Sequence, residues 1–125
     1  MKYIGKLDIN KLGKYKDKIV TKDIILTNER ELHIKENHFS EFDRIISNIA
    51  NVVATPDKIL EDLNNKDTIM FIGKLTPNNN LNVIVKLNIT NSKEHPKNSI
   101  MTAWIIRDKN LIKLENKNKI LYKRE

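Results

Sequence analysis

The chain has 125 residues, 23 Lys plus Arg against 16 Asp plus Glu for a net charge of +7, and no cysteine. That length supports one core. The missing cysteines exclude a disulfide framework and a thiolate metal site, and no apolar run approaches the ~20 residues of a membrane span. Met1 is followed by Lys2 and Tyr3 without an apolar stretch, so no export signal is read and a cytoplasmic setting is expected.

The positive charge points to a polyanionic partner. Nineteen of the 23 basic residues are Lys, and Asn and Ile are also abundant, a skew that an A/T-rich genome alone would produce. The distribution says more than the total. Residues 1–25 carry +4 and residues 107–125 carry +4, whereas residues 26–106 carry −1.

In chain order, Tyr3 to Leu7 alternates and predicts a first strand. Lys11 to Lys18 reads as a loop or short turn, and Ile24-Ile25-Leu26 as a β-branched run ending at Thr27-Asn28, either of which can cap a helix. Glu29 to His38 suits a short helix. Ser40 then serves as the expected N-cap of a second helix, with Asp43 three positions on. In that helix Phe42, Ile45, Ile46, Ile49 and Val53 form a wide apolar stripe. Thr55-Pro56-Asp57 ends it, and Lys58 to Asp62 is ambiguous.

The period then changes to two. Thr68 to Leu75 is a strand, Pro77 to Asn80 a turn, and Leu81 to Ile89 the returning strand of a hairpin. Asn91 to Asn98 is a polar loop holding His95, and Ser99 to Ile106 is a further strand. Asp108 to Leu114 is a short helix or turn, and Ile120 to Tyr122 a last edge strand. With helices first and strands after, the expectation is one α+β domain over residues 1–125, with N-terminal helices packed on a four- to five-stranded antiparallel sheet.

Few residues offer chemistry. There is no Gly-rich phosphate loop, no nucleophile elbow and no zinc helix. His33 and His38 are five apart and do not share a helix face, so no metal site or cofactor is expected. His33 is a candidate acid or base, since imidazole titrates near neutrality; it equally suits a half-buried position on an amphipathic helix. His38 suits a helix end, where a cation favours the dipole. Lys86 interrupts an apolar strand on the face of Ile84, and either covers a solvated face or reaches a phosphate. Thr102 and Trp104 share a strand face, with Ile100 and Ile106 expected beside them. That face is either core or a cleft floor where Trp104 stacks on a base. Arg107 at the strand end clamps a phosphate or marks a solvated edge.

Several segments in order resemble a known family. They are Ile25 to His38 (including Arg30, His33 and His38), Pro56-Asp57-Lys58-Ile59, Val83 to Leu87, and Ser99 to Trp104 with Lys109, Leu111 and Leu114 behind. They resemble the phage and toxin nucleases of the barnase–EndoU–colicin–RelE-like superfamily over roughly residues 24–124. The resemblance implies a metal-independent endoribonuclease that cleaves RNA, often tRNA, by attack of the ribose 2′-hydroxyl on the adjacent phosphorus. An antitoxin or immunity protein would be its partner. It implies His33 as the acid/base group, Lys86 on the scissile phosphate and Thr102 on a phosphate oxygen. Arg30, His38, Trp104 and Arg107 would be substrate contacts. Trp104 stands where relatives often carry Tyr, so stacking rather than proton transfer is its implied role. Superfamily members that bind without turnover make a nucleic-acid-binding or phage accessory module the alternative.

Overall fold

The computed structural model describes residues 1–89 and 97–125, and His95 lies outside them. Among the described residues, seven strands and three helices follow in the order β1 (Lys2–Lys6), β2 (Asp23–Leu26), α1 (Asn28–Asn37), α2 (Phe42–Ala54), β3 (Lys58–Glu61), β4 (Thr68–Thr76), β5 (Asn79–Lys86), β6 (Asn98–Arg107), α3 (Asp108–Lys117) and β7 (Lys119–Lys123). The strands form a single sheet in the order β1-β2-β6-β5-β4-β3-β7. The architecture is α+β, but two strands precede the helices, a third helix comes late, and the sheet has seven strands rather than four or five. The pairs are antiparallel except β2 with β6, which run parallel at Ile24–Asn98 and Ile25–Ser99.

The hairpin of β4 and β5 and its extension to β6 form the centre, as the period-two runs predict. Leu81, Val83 and Val85 of β5 face one side with Ile69 and Phe71 of β4, and Ala103 and Ile100 of β6. α2 lays its stripe of Ile45, Ile49, Val52 and Val53 on this inner face. It comes so close to β4 that a Cβ on Gly73 would sit 2.7 Å from Val52 Cγ2, which is why glycine is needed there.

Helix starts differ from expectation at one point. Thr27 caps α1, its Oγ1 accepting from Arg30 N at 3.2 Å. Ser40 does not cap α2. It lies inside a 3₁₀ turn, Phe39–Glu41, that leads directly into the helix, so its hydroxyl is not placed at the helix start. Short 3₁₀ turns of this kind commonly begin helices.

The sheet curls around α2, which contacts both β1 and β4. The segment after β1 closes the curl. Two 3₁₀ turns, Ile9–Lys11 and Gly13–Tyr15, carry Leu12 and Tyr15 into the inner core. Gly13 has φ of +55° and would place a Cβ 3.2 Å from Leu121 of β7, while the Lys11 ammonium lies 4.9 Å from the Tyr122 ring centre. What the sequence reads as a loop is therefore a clasp between the two ends of the sheet.

α3 runs over the outer face because β6 and β7 are parallel and separated by β5, β4 and β3, and parallel strands need a crossover. Its Leu111 packs with Leu60, Met70, Ile72, Ile84 and Ile106, and Trp104, Met101 and Leu114 close the edge of this second core. Among the described residues no helix is long and apolar enough to cross a membrane.

Candidate nucleic-acid interface

β6 carries most of the candidate residues, and one irregularity decides which face they occupy. The β5–β6 register pairs Ile84 with Thr102 but Val85 with Ile100, leaving Met101 as an extra residue. Such a bulge reverses the alternation. Ile100 is thereby moved to the inner core with Ala103, away from the face of Thr102, Trp104 and Ile106 that simple alternation assigns to it. Thr102 and Trp104 do share the outer face, both half-buried.

Trp104 and Arg107 line one depression of about 560 Å³, together with Ile105, Ile106, Lys109, Asn110 and Lys113. Lys109 and Lys113 are one helical turn apart on α3 and so project to the same side. Among the described residues, none of Arg107, Lys109 and Lys113 lies within 4 Å of a carboxylate. The neighbouring depression shows the contrast. There Lys58 pairs with Glu115 and Lys74 with Asp108, under an apolar floor of Ile72, Leu111 and Ile112. Asp108 also accepts from Asn80 Nδ2 at 2.8 Å, and this bond, together with Lys74, holds its carboxyl below the usual range.

Lys86 lies at the other end of the outer face, lining a separate depression with Ile84, Met101, Thr68, Asn65 and Lys66. Its ammonium donates to the Lys66 carbonyl, just before the start of β4 and on the side away from β6. Thr102 stands between the two depressions and lines neither.

Arg30, His33 and His38 belong to α1 and its C-terminus, and α1 packs against β6. Ile34, fully buried, is the anchor, and it joins Ile100 and Ala103 in the inner core. His33 beside it is exposed, and Asn37 Nδ2 lies 3.2 Å from its Nε2. His38 is the C-cap residue, its backbone N–H donating to the Ile34 carbonyl at 2.9 Å. No α1 residue lines either outer-face depression. The structure thus brings together Trp104 and Arg107 around one depression, keeps Thr102 on the face of Trp104, and holds Lys86 and the α1 group apart from them.

Two features escape sequence reasoning. Lys109 and Lys113 had a signal, their four-residue spacing on a segment left as helix or turn. Tyr15 and Glu61 had none. Glu61, only 6% exposed, accepts from Tyr15 Oη at 3.0 Å and pairs with Lys14 at 2.6 Å. Burial pushes the Glu61 carboxyl up, and the bonds from Lys14 and Tyr15 outweigh that, leaving it below its ordinary value. Burial and the same carboxylate push the Tyr15 phenol well above its ordinary value. Comparison with protein-family models, with curated proteins and with solved structures finds no match to this chain.

Proposed function

We propose that the chain binds single-stranded RNA at the Trp104 depression and cleaves it as a metal-independent endoribonuclease, of toxin or phage-associated type. The observation that carries the reading is the group of three unneutralised cations, Arg107, Lys109 and Lys113, around one half-buried indole. Unpaired cations attract a phosphate backbone, and an aromatic face stacks on bases whatever their identity. The overall +7 adds long-range attraction.

In this reading Thr102, on the same face, donates to a phosphate oxygen. His33 stands on α1, against the inner face and so on the opposite side of β6 from Thr102. As the acid/base group it would take the proton of the 2′-hydroxyl and pass it to the leaving 5′-oxygen of RNA that runs round the edge of β6 beyond Ser99, where no strand pairs with that edge among the described residues. The 2′-oxygen bonds to phosphorus as the P–O5′ bond breaks, leaving a 2′,3′-cyclic phosphate. Lys86 would leave the Lys66 carbonyl to meet the negative charge that develops at phosphorus.

A second reading, an RNA-binding module without turnover, is favoured by one observation. The residues lining the Trp104 depression include no histidine and no carboxylate. One experiment separates the two. Purified protein is incubated with total tRNA in EDTA, beside His33→Ala and Thr102→Ala, and binding is followed by the fluorescence of Trp104, the single tryptophan of the chain. The nuclease reading expects cyclic-phosphate fragments that His33→Ala abolishes while quenching persists. Quenching with intact RNA in every sample supports the module. No quenching and no cleavage would overturn both.

A further inference from the structure

Four asparagines, Asn80, Asn82, Asn88 and Asn98, are buried on the central strands or at their ends, and two of them, Asn80 and Asn98, use their amides to hold the fold. Asn98 donates to the carbonyls of Thr21 and Asp23, at 2.6 and 2.9 Å, and accepts from Asn88 N at 2.8 Å, joining β2 to the ends of β5 and β6. Asn80 donates to Asp108 and lies against the Ile106 carbonyl. Asn82 is different. It sits in the middle of β5 on the outer face with no exposed surface, its Nδ2 is 3.8 Å from the Met70 sulfur, and its Oδ1 has no hydrogen-bond partner among the described residues. The Asn88 amide also has none among them, but it lies past the end of β5 beside Asn98. A thioether is a weak acceptor. The Asn82 position thus keeps a polar amide where leucine would place the same branched skeleton without an unpaired group, and such groups burden a fold.

The residue across the ladder from Asn82 is Trp104. Paired residues on one face have Cβ atoms about 5 Å apart, so the indole and the amide are direct neighbours. The indole is half-buried, packs at the edge of the outer core and lines the cationic depression. The geometry points to Asn82 as the base-reading residue of the RNA site, an inference that rests on the RNA reading above. When the indole turns toward solvent to stack on a base, the amide beneath is uncovered. One donor and one acceptor side by side match a base edge, as asparagine does with adenine. Edges of unstacked bases are what sequence-selective RNA recognition uses. The cations would then supply affinity and Asn82 the choice of base.

The test uses short single-stranded oligoribonucleotides of A, U or C, with affinities read from Trp104 quenching for the wild type and Asn82→Leu, and melting temperatures for both. The expected wild type prefers one base. Asn82→Leu lowers affinity for that base about tenfold, levels the three affinities, keeps the salt dependence and melts higher. An unchanged preference in Asn82→Leu overturns the inference while leaving the RNA site intact. A variant that melts lower or does not fold assigns the amide to the fold and also overturns it. A wild type that binds none of the three overturns the RNA reading itself, and this inference with it.

Discussion

Two charged regions of this molecule use lysine in opposite ways. At the clasp, Lys14 and Tyr15 both turn onto one buried carboxylate, Glu61, and the charges satisfy one another. Beside Trp104, Arg107, Lys109 and Lys113 surround an opening with no described carboxylate within reach. A charge that is answered inside the chain holds elements together. A charge left unanswered beside an aromatic ring is available to something outside it. On the proposed reading the first region holds the fold and the second recognises RNA, and each half of that contrast can be broken separately.

The largest effect should come from removing the unanswered charge. The triple variant Arg107→Ala, Lys109→Ala, Lys113→Ala should lower RNA affinity about a hundredfold at low salt. It should also flatten the plot of log affinity against log salt by about 2, three phosphate contacts at ~0.7 each. Thermal stability should hardly change, because exposed cations of this kind contribute little to a fold. A triple variant with the wild-type salt slope would show that these side chains meet no phosphate and would erase the contrast.

The sequence made one of these regions half visible and the other invisible, for physical reasons. Trp104 and Arg107 stand out because they break a strand of aliphatic residues, and alternation is short-range information carried by neighbours. The stripe of Ile45, Ile49 and Val53 is legible in the same way, and α2 follows it. The bulge at Met101 is not legible, since one extra residue leaves no mark in composition yet moves Ile100 through the sheet. The clasp is less legible still. Tyr15 and Glu61 are 46 residues apart, and only the curl of seven strands brings them to 3.0 Å. The count of strands was misjudged for a related reason. β1 is read at Tyr3 to Leu7, but β2 and β3 have only four residues each, too few for a period of two to stand out. Likewise the separation of Lys86 from Trp104 follows from the β5–β6 register, which pairs Lys86 with Ser99 and Trp104 with Asn82, and that register is not written in the spacing of either strand alone.

The next effect in size tests the clasp. Tyr15→Phe removes the hydroxyl that donates to a buried carboxylate, and a bond to a charged group of this kind contributes about 1.5–3 kcal/mol. Urea unfolding should show that loss, while RNA affinity and salt slope stay at wild-type values. If Tyr15→Phe weakens RNA binding without lowering stability, the clasp belongs to the recognition surface and the two regions are one.

The smallest effect is in the pH dependence of stability, and Glu61 sets its sign. Its carboxyl titrates lower in the folded chain than its ordinary value because Lys14 and Tyr15 favour the charged form. Between those two values the unfolded chain binds more protons than the folded one, so stability rises with pH. The contribution is complete above the unfolded value of about 4.3, declines as pH falls below it, and is gone once pH has passed through the lower folded value. Glu61→Gln keeps an oxygen for the Tyr15 hydroxyl but gives Lys14 no charge to meet. Its urea midpoint should therefore lie slightly below wild type near neutrality, and the two curves should converge in acid as the wild-type carboxyl takes up its proton. Lys14 is half exposed, so water screens its share of the difference and keeps it small. Parallel curves across the acid range would mean that Glu61 titrates alike in both states, and the clasp would then be held by its apolar contacts, Leu12 and Leu121, rather than by its charge.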